Sequence, residues 1–418
     1  MNTSKESTAP STLTFYGLGI APKLLEVIQK MNFKVPTPIQ HKAIPLAIEG
    51  KDLMGVAQTG TGKTLAFALP MVQRLAQQKG QGLVLVPTRE LAAQVDETFQ
   101  KLAPAFGMHT TVIIGGASMD EQMRSLRRMP RIIIATPGRL IDHLTIRHSI
   151  KLDQVSILVL DEADRMLDMG FAPQIDQIMR HVAKERQTML FSATIPHEIM
   201  SIAARHMKLP VSVEVAPSGT AAENVTQELY IIRREEKLKL LNKILNQYRG
   251  SVLLFSRTKH GARKITRDIK RMNHSAAEIH SDKNLSQRKA ALEGFKQGRY
   301  RVLVATDIAS RGIDVKNIEL VINYDLPDDA ENYVHRIGRT GRAGMAGRAI
   351  SFATPDQFET VGAIQKIIRT DIPVAQHPDV PAENFLLTPT SAFAKPKPAG
   401  GKFFGRSFRA RGPRFRRR

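Results

Sequence analysis

The chain has 418 residues, 42% of them hydrophobic and 24% charged, an ordinary globular composition that excludes both a single small binding module and a wholly disordered chain. Lysine and arginine number 61 against 39 aspartates and glutamates, so the net charge of +22 favours a polyanionic partner. The absence of cysteine excludes disulfides, thiolate nucleophiles and cysteine-ligated metals, and it fits a reducing compartment.

The N-terminal segment MNTSKESTAPST is polar and lacks the basic and apolar pattern of a secretory signal. No later apolar run approaches the roughly 18 residues of a membrane span. We therefore expect a cytoplasmic protein that has no membrane partner.

Short apolar runs alternate with helical stretches from about residue 50 onward. The runs are apolar throughout, which is typical of parallel strands that are covered on both faces. They lie at 52–57, 82–87, 110–116, 131–136, 156–162 and 188–194. This pattern predicts a doubly wound α/β domain, for which we expect the bounds 1–215.

A small, polar stretch at 216–224, APSGTAAEN, interrupts the pattern and is predicted to be a linker. The pattern then resumes, with apolar runs at 251–256, 276–281, 301–307, 320–325 and 347–354. We therefore predict a second α/β domain over 225–372 that is similar to the first in plan only.

Beyond residue 373 the periodicity stops, and the chain ends in a basic segment. The segment 391–418 contains ten lysines or arginines, five phenylalanines and no acidic residue. Such a composition cannot bury enough apolar surface to offset its chain entropy, so 373–418 is predicted to be a disordered tail. Its arginines and phenylalanines suit a single-stranded nucleic acid, and a solvated tail without a role is the alternative.

The segment AQTGTGKT at 57–64 follows a predicted strand and opens a predicted helix, which is the context of a phosphate-binding loop. Its glycines would let backbone N–H groups close on phosphates, while Lys63 would reach the outer phosphates and Thr64 would offer a hydroxyl to Mg²⁺. The strict motif begins with glycine, whereas this chain has Ala57. A chance glycine turn is the alternative.

The segment ILVLDEAD at 157–164 ends a buried strand with two successive carboxylates. In phosphoryl transfer, one acid beside the phosphate loop holds the metal, and a neighbouring acid can position and activate water. Asp161 suits the metal role and Glu162 suits the role of the base. An acidic strand end that caps the next helix is the alternative.

The predicted second domain has no comparable phosphate loop, but in HRIGRTGRAG at 335–344 arginines recur every three residues. A nucleotide site and an arginine cluster on separate domains suggest that closure brings guanidinium groups onto the charge of the transition state. ATP would then hold the two halves together. A basic surface loop that binds nucleic acid directly is the alternative.

Read in chain order, several segments resemble the motif series of the DEAD-box RNA helicases: VPTPIQ, AQTGTGKT, PTREL, GG, TPGR, DEAD, SAT, VATDIASRGID and HRIGRTGR. The run DEADRMLDMGF at 161–171, the short second domain and the basic tail resemble the bacterial RhlE subgroup in particular. The resemblance implies two RecA-like domains with ATP between them and RNA across both. It also implies largely sequence-independent backbone contacts and ribonucleoprotein complexes as candidate partners.

Matching by position assigns roles at the nucleotide. Gln40 would read the adenine edge, because a carboxamide offers a donor and an acceptor. Phe15 would stack on the base, and a core aromatic is the alternative for this residue. The implied ATP-binding residues are Phe15, Gln40, Ala57, Gln58, Thr59, Gly60, Thr61, Gly62, Lys63, Thr64 and, at the ribose, Asp314.

The same matching identifies the residues of hydrolysis and coupling. The hydrolytic residues would be Lys63, Asp161, Glu162, Arg339 and Arg342, with Thr64 and Asp161 as the metal ligands. The residues that couple hydrolysis to domain closure would be Ser192, Thr194, Asp164, His335 and Arg336. For His335, a structural histidine is the alternative.

The implied RNA-binding residues would hold the sugar-phosphate backbone. They are Pro87, Thr88, Arg89, Gly115, Gly116, Thr136, Pro137, Gly138, Arg139, Arg288, Thr306 and Asp307. Gly115 and Gly116 alone would also fit an ordinary strand-end turn.

Three features depart from the family pattern. Asn32 occupies a position at which the family usually has glycine, and Leu285 occupies that of a glutamine, for which Gln287 would substitute. We expect no further folded RNA-recognition module after the second domain, which leaves the specificity open.

We expect an ATP-dependent RNA helicase that locally unwinds short duplexes or remodels RNA–protein complexes. An ATP-gated RNA clamp or annealing chaperone, for which unwinding is incidental, is the alternative. A DNA translocase is a third interpretation.

Overall fold

The structure is a computed structural model that describes residues 13–58, 60–215, 225–307, 318–341 and 346–386. Across these residues the backbone forms two parallel β-sheets, and helices cover both faces of each sheet. The predicted fold class of two doubly wound α/β domains is therefore confirmed.

The first sheet has seven strands in the order β3-β4-β2-β5-β6-β1-β7, and every neighbouring pair is parallel. Its strands are β1 (Leu53–Val56), β2 (Gln81–Leu85), β3 (Thr110–Ile113), β4 (Ile132–Ala135), β5 (Val155–Asp161), β6 (Gln187–Ser192) and β7 (Val211–Glu214). Its helices are α1 (Pro22–Lys30), α2 (Pro38–Ile48), α3 (Lys63–Gln77), α4 (Arg89–Leu102), α5 (Met119–Arg127), α6 (Pro137–Ile141), α7 (Ala163–Asp168), α8 (Ala172–His181) and α9 (His197–His206).

The second sheet has six strands in the order β10-β11-β9-β12-β13-β8, again with parallel neighbours. Its strands are β8 (Val225–Ile231), β9 (Val252–Phe255), β10 (Ala276–Ile279), β11 (Val302–Ala305), β12 (Leu320–Asn323) and β13 (Gly347–Ala353). Its helices are α10 (Lys237–Gln247), α11 (Lys259–Arg271), α12 (Leu285–Lys296), α13 (Ala330–Ile337) and α14 (Phe358–Ile368).

The apolar strands are buried because each sheet has a hydrophobic layer on both faces. Phe67 and Phe191 belong to one layer of the first sheet, and Ile133 and Leu158 belong to the opposite layer. Central strands such as β1 and β4 are buried at every position. Parallel strands place their carboxyl ends at one edge of a sheet, so the loops that follow β1, β2, β4, β5 and β6 meet there.

Two edge strands were absent from the sequence prediction. β7 borders β1, and β8 borders β13. Both strands are partly exposed and carry polar residues, so neither shows the continuous apolar run of a central strand. The predicted linker at 216–224 lies outside the described residues, and the domain bounds remain a prediction.

The two halves share a specific structural feature as well as the order of their elements. Arg131 precedes β4, and its guanidinium donates hydrogen bonds to backbone carbonyls at the end of α3 and in the following loop. Arg301 precedes β11 and does the same at the end of α10. The carbonyls are those of Leu75, Gln78 and Gly80 in the first half and those of Leu245, Tyr248 and Gly250 in the second. The identical spacing indicates two copies of one structural unit.

The predicted tail begins too early. The segment after residue 372 continues along β8, where the N–H of Leu229 donates to Pro373, and the N–H groups of Ala375 and Glu383 donate to Leu229 and Ile231. Val380 is buried against the second sheet. The prediction of disorder is therefore wrong for 373–386, because backbone pairing with an edge strand requires no hydrophobic periodicity. The basic segment 391–418 lies outside the described residues.

Candidate nucleotide and RNA site

The phosphate-binding loop lies between β1 and α3, as its sequence predicts. Gly62 has a φ of 90°, a left-handed conformation that favours glycine, and a Cβ there would clash with the Gln40 side chain. α3 begins at Lys63, so its free N–H groups face the loop. The buried Lys63 ammonium donates to the carbonyl of Ala57 at 2.7 Å. The loop thus joins a helix N-terminus to a cation, the arrangement that binds phosphate; Thr59 lies outside the described residues.

Gln40 links α2 to this loop. Its Oε1 accepts from the N–H of Thr37 at 3.0 Å, and its Nε2 donates to the carbonyl of Gly62 at 3.1 Å. The side chain is only 2% exposed. A carboxamide has two N–H donors and two acceptor lone pairs, so one of each remains for a base.

Phe15, the other residue predicted to contact the base, is 3% exposed and belongs to the hydrophobic core of the first sheet. Its ring also borders a cavity of about 330 Å³ that Tyr16 and Phe33 line. This placement agrees with the alternative of a core aromatic, and stacking on adenine remains a prediction. Asn32 has a φ of 60°, so it adopts the left-handed turn that the family's glycine would favour.

The two successive acids lie at the end of β5. Asp161 is buried at the last position of the strand, and burial raises its pKa to about 7 although the charge of Lys63 opposes the shift. Glu162 has a φ of 52°, an uncommon conformation for a residue with a side chain. The effect of the Lys63 charge places Asp161 close to the phosphate loop, and Glu162 follows it at the strand-to-helix turn.

Asp164 connects the DEAD turn to the segment after β6. Its Oδ2 accepts hydrogen bonds from the N–H groups of Ala193 and Thr194, both at 3.0 Å, and from the Thr194 hydroxyl at 3.2 Å. The N–H of Asp164 in turn donates to the Ser192 hydroxyl at 3.3 Å. Burial disfavours the ionised form, but the surrounding donors and cations lower the pKa of Asp164 below its ordinary value. Three of the predicted coupling residues thus share one hydrogen-bonded network.

In the second half, α13 carries the remaining coupling residues. Arg336 is buried and forms a two-pronged ion pair with Asp307, with N–O distances of 2.6 and 2.7 Å. Its guanidinium also lies over the Phe255 ring. Arg339 is buried, and its Nε donates to the carbonyl of His335 at 3.3 Å. Asp307, predicted to contact RNA, therefore contacts Arg336 here. The predicted residues Asp314 and Arg342 lie outside the described residues.

A side chain that the sequence analysis did not single out joins the two halves. Arg165 is 1% exposed, and its Nη1 donates to Glu162 Oε2 at 2.8 Å. Its Nη2 lies 3.2 Å from Nδ1 of His335 on α13. Burial, reinforced by the charge of Arg165, lowers the pKa of His335 well below its ordinary value. The neutral ring can therefore accept this hydrogen bond. The signal in the sequence was an arginine three residues after Glu162.

The predicted RNA-binding segments of the first half lie together. β2, β4 and β3 are neighbours, and PTRE, TPGR and GG follow their carboxyl ends. Thr88 caps α4 by accepting from the N–H of Leu91 at 3.2 Å. Gly116 has a φ of 79°, and a Cβ there would clash with Arg89. The strand-end turn at the glycines is thus present, and Arg89 lies directly against it. Pro137, Gly138 and Arg139 form the first turn of α6, with Thr136 as its N-cap.

The second half contributes α12 to the same region. The Nε of Arg288 lies 2.8 Å from Oε1 of Glu90, a residue that the sequence analysis missed, and both side chains are largely buried. Leu285 packs against the hydrophobic core of the first half. Gln287 caps α12, because its Oε1 accepts from the N–H of Asn284 at 3.1 Å. Leu285 therefore provides apolar contact between the halves, and Gln287 has a local structural role. The N–H of Thr306 donates to the carbonyl of Ile279.

Comparison with known proteins identifies the chain. Residues 37–202 match the DEAD/DEAH box helicase family, and residues 236–344 match the helicase conserved C-terminal domain. The chain is similar to the "ATP-dependent rRNA helicase RRP3" of Scheffersomyces stipitis, with 42% identity over 363 residues, which cover 86% of this chain and 75% of that protein. The protein of the same name from Eremothecium gossypii is 43% identical over 364 residues, with the same two coverages.

Two solved structures share the fold. "S. cerevisiae Dbp5 bound to RNA and ADP BeF3" has a TM-score of 0.78 and 31% identity, and the match covers 87% of this chain and 95% of that one. Mss116p with ssRNA and AMP-PNP has a TM-score of 0.79 and 26% identity, covering 86% and 78%. None of the described helices is long and apolar enough to cross a membrane. The two sheets are RecA-like domains, and the chain belongs to the DEAD-box family, whose members are RNA-binding, RNA-stimulated ATPases and ATP-dependent RNA helicases.

Proposed function

We propose that this helicase separates short RNA duplexes locally, by closing its two domains on ATP and on one RNA strand and by reopening after hydrolysis. The observation that carries the proposal is a pair of contacts between the domains. Arg165 and His335 meet beside the candidate hydrolytic acids, and Glu90 and Arg288 meet beside the candidate RNA segments. One closing movement therefore completes both sites.

In this mechanism each group acts on the phosphates or on water. Lys63 and the N-terminus of α3 bind the outer phosphates, Glu162 accepts a proton from the attacking water, and Arg339 stabilises the charge of the transition state. Arg342 would act with Arg339. Asp164, Ser192 and Thr194 would transmit the state of the nucleotide to the domain contact through their shared hydrogen bonds.

The residues present fit Mg²⁺. Thr64 and Asp161 offer the hard oxygen atoms that this ion prefers, and Asp161 is a buried carboxyl group whose ionised form a cation would stabilise. The described residues contain no cluster of three or more histidine or acidic side chains that could hold a metal by themselves. Phosphate oxygens and water would therefore complete the coordination. When bound, the ion would neutralise charge on the phosphates.

We propose that RNA lies across both domains with its backbone on the loops that follow β2, β3 and β4. Glycines and helix N-termini approach phosphates without reading bases, so binding would be largely independent of sequence. Ribosomal RNA is the substrate that the names of the fungal relatives suggest. Ribonucleoprotein complexes would be natural partners. We also propose that the chain belongs to the bacterial RhlE subgroup, which the run at 161–171 and the basic tail support, and that it is cytoplasmic, which the lack of cysteine fits.

We expect Gln40→Ala to weaken ATP binding and the discrimination of ATP from GTP together. The substitution removes the groups that would pair with the base and also the hydrogen bond to Gly62 in the phosphate loop. Nucleotide affinity is measured by competition against a fluorescent ADP analogue. Gln73 is the matched control, because its buried carboxamide also bonds two backbone groups in the same domain, at Gly19 and Ala21. Gln73→Ala should lower stability and leave the ATP-to-GTP ratio intact. An unaltered ratio in Gln40→Ala would contradict the assignment.

The helicase mechanism is tested by strand displacement on a short RNA duplex with a single-stranded overhang. We expect displacement with ATP and Mg²⁺, and only a single round per enzyme with a non-hydrolysable analogue. A variant that ends at residue 390 distinguishes the helicase from the alternative of an RNA clamp or annealing chaperone. The removed segment holds the ten basic residues suited to annealing. It should lose annealing activity and keep ATP-dependent displacement. Loss of displacement along with annealing would instead favour the clamp or chaperone.

A further inference from the structure

Arg165 is a buried cation with two acceptors that belong to different domains. Its side chain is almost inaccessible, and a charge in that position requires ion pairing or hydrogen bonding. One partner is Glu162, three residues earlier and 2.8 Å away. The other is His335, 170 residues later on α13. A planar guanidinium fixes the directions of both hydrogen bonds at once.

The contact with His335 depends on domain closure. Arg165 lies on α7, which packs on the first sheet, whereas α13 packs on the second. When the domains separate, Nη2 loses this acceptor while Nη1 still faces Glu162. The guanidinium then lacks one of the contacts that set its plane, and the direction in which it holds the Glu162 carboxylate is less constrained.

The backbone of Glu162 makes this orientation important. Its left-handed conformation at φ 52° and ψ 50° places the side chain at the junction of β5 and α7, where the N–H of Glu162 also bonds Asp161. A water-activating carboxylate must present its oxygen within hydrogen-bond reach of the water. Misplacement by about 1 Å can cost on the order of 10²-fold in rate.

We propose that Arg165 is a positioning residue that makes the orientation of Glu162 depend on docking of the second domain, and thereby links RNA-driven closure to hydrolysis. The inference rests on the proposed role of Glu162 in activating water. It goes further by assigning the link between closure and this carboxylate to one guanidinium group. Arg165 itself touches neither water nor phosphate in this role.

The test compares ATP turnover at saturating RNA with turnover without RNA in Arg165→Gln and Arg165→Lys. We expect the ratio of the two rates to fall by about tenfold or more in both variants, because neither side chain can hold both partners. A purely structural ion pair would lower both rates equally and leave the ratio unchanged. Arg165→Lys retains a buried cation for Glu162, so it keeps the test usable if Arg165→Gln fails to fold. The control is Arg271→Gln, which breaks an exposed ion pair of the same i, i+3 spacing on α11 and should change neither rate.

A double-mutant cycle that combines an Arg165 variant with His335→Phe tests whether the effect of Arg165 depends on its contact with His335. If the guanidinium links the domains through His335, the double variant should show the same ratio of RNA-stimulated to basal turnover as the more impaired single variant. The second substitution then removes a link that is already broken. Multiplying effects would overturn the inference. Glu162→Gln separates the two proposals. If Glu162→Gln abolishes turnover while the Arg165 variants keep the normal ratio of RNA-stimulated to basal turnover, the positioning role of Arg165 is wrong and the role of Glu162 stands. If Glu162→Gln has normal turnover, the proposed role of Glu162 as the base is itself wrong.

Discussion

Glu162→Gln should reduce RNA-stimulated ATP turnover by about 10²–10⁴-fold, the usual cost of losing a general base. The amide has the shape of the carboxylate and can still accept the hydrogen bond from Arg165, so the turn between β5 and α7 should persist. It cannot accept a proton from water at neutral pH. ATP and RNA affinities, measured by fluorescence anisotropy, should therefore stay within about threefold of those of the unmodified protein while turnover is lost.

The control for this experiment is Glu97→Gln. Glu97 also forms an ion pair, with Lys101 at 2.9 Å, but that pair is exposed on α4. Its replacement should leave turnover and binding as they were. If Glu162→Gln retained turnover within about threefold, the water-activating role would pass to another group. Simultaneous loss of turnover and nucleotide binding would indicate a structural role for the carboxylate.

The positions of the candidate hydrolytic residues in the first half could be predicted from the sequence because their determinants are local. The loop at 57–64 follows β1, the acids at 161–164 begin at the last residue of β5, and continuous apolar runs mark both strands. A parallel sheet brings the ends of such strands to one edge. Short contiguous motifs therefore suffice to predict which side chains lie close together in the fold.

The missed features depend on partners that are distant in the chain. Arg165 and Glu90 each acquire a partner from the second domain, and no local pattern encodes how two domains dock. Strands β7 and β8 are partly exposed at the edges of their sheets, so burial does not impose an apolar run on them. Asp307 was assigned to RNA by position, whereas its carboxylate forms an ion pair with Arg336, which α13 supplies.

The candidate RNA-binding residues could be predicted from the sequence only in part. Arg89 and the two glycines at 115 and 116 come from different strands, yet the structure brings them into contact because β2, β4 and β3 are neighbours. The sequence alone left a strand-end turn as the alternative for these glycines. The left-handed φ of Gly116 and the guanidinium against it show that the turn and the candidate phosphate contact share the same residues.

Replacing Arg339 with lysine should lower RNA-stimulated turnover on the order of 10³-fold, within the range that arginine fingers contribute in phosphoryl transfer. Arg339 lies two residues after the end of α13 and is buried. Its hydrogen bond to the carbonyl of His335 places it next to the residue that contacts Arg165. A lysine keeps the charge but lacks the planar set of donors that matches phosphate oxygens. Because the group acts on charge that develops in the transition state, the loss should fall on kcat, with the affinity for ATP within about threefold of normal.

The matched control for Arg339→Lys is Arg348→Lys on β13, a more exposed arginine of the same domain that pairs with Glu228 on β8. It should retain normal turnover, which shows that the change of arginine to lysine in this domain is harmless in itself. Thermal unfolding of both variants reports whether the fold persists, since Arg336 and Asp307 hold α13 to the second sheet independently of Arg339. A folded Arg339→Lys protein with normal kcat would show that the second domain supplies its charge to the phosphates through another residue. An intact kcat with a raised KM for ATP would assign Arg339 to ground-state binding, because a group that acts on the transition state alone changes the rate of the bound complex.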